Sequence, residues 1–283
     1  MILALDIGGS RIKAARDGVV LGEVATPLHD FAAFTAALRG FLVGGERGVA
    51  ISVTGVVPMT GPAKVANIPC LDGREVAADL RAALGLPVLL LNDADCFAMA
   101  EVAQGAGRGH RNVFAVIFGS GVGGGLVIDG RVVQGAGGHA GEWGHGPVIQ
   151  QPALACGCGL TGCLDTVGSA RGLERLHRLA TGETTDSVAL LARWRAGEPV
   201  VAVDQWLTLV SGVLAMVVNL TGASVVPVGG GLANVAPLIA ALDLAVRARI
   251  LRQTDAPLVV VAQVSADAGL IGAAAAGEVE FAA

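Results

Sequence analysis

Short apolar runs, each ended by glycine or by an acid-glycine pair, alternate along the chain with stretches whose apolar residues recur every three or four positions. The runs at 2–5, 12–16 and 19–24 read as three strands. The first ends at Asp6, just before Gly8-Gly9-Ser10. The second and third meet at Asp17-Gly18, a pair suited to a tight hairpin. Residues 113–134 repeat the pattern: a strand, the glycine-rich turn GSGVGGG (119–125), a strand, Asp129-Gly130, and a strand. Thirteen residues run from strand end to hairpin glycine in both copies, Asp6 to Gly18 and Phe118 to Gly130. The spacing predicts an internal duplication, each copy opening a domain. Between the copies, Phe31, Phe34, Leu38, Phe41 and Leu42 mark a helix over 30–43. Then come a buried strand at 49–53, a helix over 74–85 closed by Gly85, a strand at 88–91 ending on Asn92-Asp93, and a helix through Gln104. Past residue 165 the pattern predicts helices at 172–180, 186–197 and 203–221, then a strand at 225–228 leading into Gly229-Gly230-Gly231. A helix from about 233, a strand at 258–262 and a small-residue helix over 268–277 complete the chain. The alternation predicts two α/β domains on mixed sheets, with a ligand in the cleft between them. The glycine-rich, basic stretch 105–112 marks the boundary. Residues 1–108 with 268–283 form the first domain, and 109–267 form the second.

Composition narrows the class. The 283 residues are 53% apolar, and 42 glycines interrupt the apolar content; no apolar run in the sequence approaches the ~18 residues of a membrane span. Asp6 arrives too early for a secretory signal, so neither secretion nor a membrane partner is expected. The net charge is −5 with scattered basic residues, which argues against a nucleic-acid surface. Five cysteines, three of them clustered, suggest a reducing, cytoplasmic setting rather than a disulfide framework. Cys70 and Cys96 read as small buried residues.

The candidate chemistry concentrates in GHAGEWGHGPVIQQPALACGCGLTGCLD (138–165). His145, Cys156, Cys158 and Cys163 fall within nineteen residues, and three thiolates with one imidazole suit a tetrahedral, structural zinc ion. The alternative is a cysteine-rich loop without metal. Glu142 and Asp165 bracket the cluster. His145, bound to metal through one nitrogen, could still donate its other N–H to a hydroxyl. The turn Gly8-Gly9-Ser10 after Asp6, and Ser120 with Gly121, Gly123 and Gly124 in the second copy, can converge backbone N–H groups on phosphate oxygens. Gly230 and Gly231 could let the backbone approach a nucleoside. Turn chemistry alone is the plainer reading of each. Neither duplicated turn has Walker spacing, and a strand rather than a helix is expected after GSGVGGG, so it is no dinucleotide fingerprint. Asp93 ends a buried strand, where α/β sheets present groups to ligands, and is the candidate general base. Its alternative is a cap for a helix starting at Ala94.

DIGGSRIK, LNDADCFAMAE, FGSGVGGG, GEWGH and CGCGLTGCLD, in that order, resemble the ROK family of bacterial sugar kinases and repressors; the resemblance runs from Met1 to about Ala275. Residues 66–101 resemble the N-acetyl-D-glucosamine kinases of that family. The resemblance implies a two-domain, actin-like (ribonuclease H-like) ATPase fold and ATP-dependent phosphorylation of a hexose 6-hydroxyl. N-acetyl-D-glucosamine is the first expectation for the sugar, and glucose or another hexose the second. It further implies Asp93 as base, and Asn67, Asn92, Asp93, Glu142, His145 and Asp165 on the sugar. Asp6 would organise Mg²⁺; Gly8, Gly9, Ser10, Arg11, Ser120, Gly121, Gly123, Gly124, Gly230 and Gly231 would serve the nucleotide. His145, Cys156, Cys158 and Cys163 would hold zinc, in a homodimer whose other partners are small molecules. Ser10 and Ser120 stand where the family usually has Thr, Arg11 where it has Lys, and Asp165 where it has Glu; the 54–69 loop is short. A repressor of this family would carry a DNA-binding module ahead of the first turn, whereas five residues precede Asp6. A non-catalytic sugar sensor would lack Asp93 or the turns.

Overall fold

A computed structural model of the chain describes residues 1–264 and 266–282. The apolar runs form two five-stranded sheets with the same plan. In the first, β1 (Ile2–Ile7), β2 (Arg11–Arg16) and β3 (Val19–Ala25) make antiparallel pairs. Across β1, the strands β4 (Gly48–Val53) and β5 (Val88–Asn92) add in parallel, giving the order β3-β2-β1-β4-β5. The second sheet contains β6 (Asn112–Phe118), β7 (Val122–Ile128), β8 (Arg131–Val132), β9 (Val226–Gly229) and β10 (Val259–Val261) in the order β10-β9-β6-β7-β8. A hairpin thus extends one side of each founding strand, and parallel strands extend the other. The duplication reaches the dihedral angles: Asp17 and Gly18 have φ of 47° and 79°, Asp129 and Gly130 have 52° and 73°. Two successive positive values define the type I′ hairpin turn, which Asp-Gly meets at low cost.

The chain divides into two compact units. One comprises Met1–Arg108, Gly125–Gly141 and the segment from Val264 onward; the other comprises Gly109–Gly124 and Glu142–Gln263. Residues 125–141 therefore belong with the first unit although they lie in the second sequence repeat.

In the first unit, the helices α1 (Phe31–Arg39), α2 (Val76–Leu84) and α3 (Asp93–Gln104) follow the predicted periodicity. Phe34, Leu38 and Leu80 are fully buried with the inward faces of β1 and β4. The small-residue helix α9 (Ala268–Glu280) packs on β1, β4 and α3. Its glycines make this possible. A Cβ on Gly272 would collide with the Cys96 carbonyl of α3, and one on Gly277 would lie 2.8 Å from Ile2 and 2.9 Å from Ala50.

In the second unit, α5 (Ala170–Thr181), α6 (Ser187–Arg195), α7 (Val201–Thr221) and α8 (Ala236–Arg247) follow a short turn of helix, α4 (Asp165–Gly168). Among the described residues α7 alone is long and apolar enough to cross a membrane, which the run-by-run reading of the sequence did not anticipate. Its buried residues, Val203, Trp206, Val210, Leu214 and Val218, recur at three- and four-residue spacing, the mark of one face laid on a core. Trp206 also donates its indole N–H to the Gly168 carbonyl at 2.8 Å. The helix expected from about 233 begins at Ala236, because residues 231–234 make a 3-10 turn and proline occupies the first turn of α8.

Candidate functional site

Within the first unit, the C-terminal ends of the parallel strands lie in register: Ile7 opposite Val53, and Val53 opposite Asn92. Asp6, Thr54 and Asp93 therefore gather along one sheet edge. Asn92, not Asp93, caps α3; its side-chain oxygen accepts from the amides of Ala94 (2.6 Å) and Asp95 (3.1 Å). What Asn92 can offer a ligand hydroxyl is its NH₂ group. Asp93 is the first helical residue, and its carboxylate accepts from the Thr54 hydroxyl at 3.1 Å and the Ala94 amide at 3.0 Å. Burial raises the Asp93 carboxyl above the ordinary aspartate value, the Thr54 and Ala94 hydrogen bonds pull it partly back, and Asp6 adds to the rise. Asp6 is raised too, first by burial, against the neighbouring Ser52 hydroxyl and the charge of Lys13. A half-buried carboxylate whose proton affinity is raised in this way is suited to accept a proton. Thr54 was not singled out from sequence; its position directly after a buried strand, like Asp93, was the available signal.

The first glycine turn closes with the Gly8 amide on the Arg11 carbonyl at 3.0 Å. Thr26 fastens it through its hydroxyl, which donates to the Gly8 carbonyl at 2.7 Å. Asn67 lies against it, since a Cβ on Gly9 would sit 3.3 Å from the Asn67 carbonyl oxygen. Ser10 is exposed beside the turn. Arg11, expected to face phosphate, is paired across the hairpin with Glu23. Lys13, directly opposite Asp6 in the β1–β2 ladder, reaches Asp267 at 2.9 Å.

The second unit holds the other half of the candidate residues. Its glycine turn closes with the Gly119 amide on the Gly121 carbonyl at 3.0 Å, and the Ala170 amide at the start of α5 donates to the Gly119 carbonyl at 3.1 Å. Gly230, at φ 86°, packs so closely on the Phe118 carbonyl that a Cβ there would overlap it. Gly230 and Gly231 thus adjoin the turn carrying Ser120 and Gly121. A Cβ on Gly231 would have nothing within 4 Å.

His145, Cys156, Cys158 and Cys163 bring their ligand atoms within 4.8 Å of one another. The Cys158 and Cys163 sulfurs are 3.6 Å apart, and Cys156 Sγ lies 3.7 Å from His145 Nδ1. Zn–S bonds of ~2.3 Å in a tetrahedron put sulfurs ~3.8 Å apart, so the cluster fits zinc. The Leu160 backbone, ahead of the neighbouring sulfurs and His145, lowers the exposed Cys158 thiol to about 7, while burial raises Cys163 to about 11. A bound cation would offset that second cost. Gly162, at φ 79°, sits so near Ile149 that a Cβ would be 2.5 Å from its carbonyl oxygen, which explains glycine inside the knuckle.

With Nδ1 turned to Cys156, the His145 ring presents Nε2 to Glu142 Oε2 at 3.8 Å. The Asp165 carboxylate accepts from the Val122 amide at 2.7 Å, and its other oxygen is 4.0 Å from Cys156 Sγ. Trp143, quoted in GEWGH but given no role from sequence, donates its indole N–H to the Gly123 carbonyl at 2.9 Å and packs edgewise on Phe114 and Phe118. An indole between Glu142 and Gly144 was its only sequence signal.

The ROK family model matches residues 33–278. The chain is 36% identical to the N-acetylgalactosamine kinase AgaK of Shewanella sp. (strain ANA-3), over 98% of this chain and 96% of that protein. It is 35% identical to the N-acetyl-D-glucosamine kinase of Pasteurella multocida (strain Pm70), over 80% and 79% respectively. Among solved structures it is similar to the ROK hexokinase from Thermus thermophilus, with a TM-score of 0.85 at 32% identity over 99% of both chains. The duplicated sheets, the glycine turns, the cysteine-histidine knuckle and these similarities lead to one assignment: the chain belongs to the ROK family.

Proposed function

We propose that the chain is an ATP-dependent sugar kinase that phosphorylates the 6-hydroxyl of a hexose or N-acetylhexosamine, N-acetyl-D-glucosamine first. The observation that carries this is Asp93. Its carboxylate stands at a sheet edge shared with Asp6, raised by burial and aimed by Thr54 and the start of α3. In the reaction the sugar hydroxyl gives its proton to Asp93 as its oxygen bonds to the terminal phosphorus, and ADP leaves with the electrons of the broken P–O bond. The Asn92 amide group, Asn67, Glu142 and His145 would bind the remaining hydroxyls. Glu142 and His145 would act as a pair, because the imidazole is held by the knuckle on its other side. The amides of the two glycine turns, with Ser10 and Ser120, would take the nucleotide phosphates.

Asp6, a half-buried hard oxygen donor beside the first turn, fits a magnesium ion and would be the residue that holds it near the nucleotide phosphates. Such an ion supplies charge neutralisation on the leaving diphosphate. The zinc expected in the knuckle would be structural, since four protein ligands leave it no open position.

The relatives' names place N-acetylhexosamine kinases beside a hexokinase. The test is therefore a coupled ADP-release screen with MgATP over N-acetylglucosamine, N-acetylgalactosamine, N-acetylmannosamine, glucose, mannose and fructose. Highest kcat/KM on N-acetylglucosamine is expected. Turnover of none of the six would overturn the kinase reading and favour a sugar sensor.

A further inference from the structure

The metal loop grips the second glycine turn at three places, all within the second unit. Trp143 donates to the Gly123 carbonyl at 2.9 Å. Gly144 lies so close that a Cβ there would be 2.6 Å from the Val122 carbonyl oxygen. Asp165 accepts the Val122 amide at 2.7 Å. The third contact is the one tied to the metal ligands. Asp165 follows the buried ligand Cys163 by two residues, its own amide is fixed on the Gly144 carbonyl at 2.8 Å, and its second oxygen lies 4.0 Å from the Cys156 sulfur. With its backbone so held, the short aspartate stem puts a charged acceptor on a turn amide, a strong class of hydrogen bond. Space at that point is tight, since a Cβ on Gly121 would sit 2.7 Å from the same carboxylate oxygen.

We propose that Asp165 is a positioning residue that transmits the closed shape of the metal loop to the nucleotide turn, so that nucleotide affinity depends on the metal knuckle. This rests on the kinase reading of the turn. The Gly119 amide is spent on the Gly121 carbonyl and the Val122 amide on Asp165. The turn then presents the Ser120 and Gly121 amides with the Ser120 hydroxyl, and Asp165 sets their direction from behind.

The test measures ADP and N-acetylglucosamine binding by calorimetry, with zinc content, for the unaltered chain and for Asp165→Ala, Asp165→Asn and Trp143→Phe. Asp165→Ala is expected to keep its zinc and lose ADP affinity by roughly tenfold, the scale of one lost charge-assisted bond. Asp165→Asn, whose amide oxygen can still accept from Val122, should recover most of that loss. Trp143→Phe, which keeps the ring and removes the N–H donor, should weaken ADP by a few-fold. Stripping zinc with a chelator should weaken ADP binding in the unaltered chain and do so much less in Asp165→Ala. If Asp165→Ala and Asp165→Asn both lose sugar affinity with ADP binding unchanged, Asp165 is a sugar ligand and the proposal is overturned. ADP binding unmoved by any of the three variants also overturns it, and if Asp165→Ala fails to fold, the other two decide. Absence of ADP binding in the unaltered chain is a different result, because it removes the kinase reading itself.

Discussion

A carboxylate takes up a proton more readily the higher its proton affinity, and the surroundings of Asp93 act on that affinity in both directions. Burial raises it; the Thr54 hydroxyl, donating to the charged form, lowers it. Removing the base should abolish most phosphoryl transfer. Asp93→Asn is expected to cut kcat by on the order of 10²–10⁴ while calorimetry still detects sugar binding; near-normal turnover would remove Asp93 from the mechanism. The pH dependence has a definite sign. Because the Asp93 value lies above the ordinary 3.8, the acid limb of kcat/KM should lie above it as well. Thr54→Ala deletes a bond that favours the ionised form, so the limb should move to still higher pH, read from a kcat/KM profile. Sequence placed Asn92 and Asp93 at the end of a buried strand and offered Asp93 as the alternative helix cap, whereas Asn92 takes that place. That choice depends on the dihedral angles at the strand–helix junction, where Asn92 is extended and Asp93 already helical.

At the scale of elements, the cysteine-histidine knuckle and the glycine turns differ in how much of them a sequence can display. The cysteines and histidine of the knuckle are near neighbours in the chain, so their spacing announced the cluster that the structure assembles. Cys158→Ser should lower zinc from about one ion per chain and reduce the melting temperature; elemental analysis and thermal unfolding check both. The partners of the second turn come from remote segments, Trp143 and Asp165 from one loop and Gly230 from beyond α7. No local pattern names them. Gly230 gives the clearest test: at φ 86° and against the Phe118 carbonyl, an alanine would be strained and obstructed together. Gly230→Ala is expected to destabilise by about 1–3 kcal/mol, measured by denaturant unfolding.

At the scale of the whole molecule, the first unit is assembled from three separate stretches of chain, and α9 closes it over β1, β4 and α3. Ending the chain at residue 266 should therefore unfold that unit rather than trim it, seen as loss of helical circular dichroism and rapid proteolysis within residues 1–108. The apolar runs, the 3.6-residue periodicities, the repeated Asp-Gly hairpins and the cysteine-histidine spacing are local properties, and from them the sequence determined the strands, the main helices, the duplicated plan and the cysteine-histidine cluster. It did not determine that residues 125–141 join the first unit, that Asn92 takes the cap, that Thr54 aims Asp93, or that Asp165 holds the Val122 amide. Each of those depends on which distant segments come within hydrogen-bonding distance, about 3 Å. Side-chain periodicity records which face of an element is buried but not what it is buried against, and only the tertiary structure decides that.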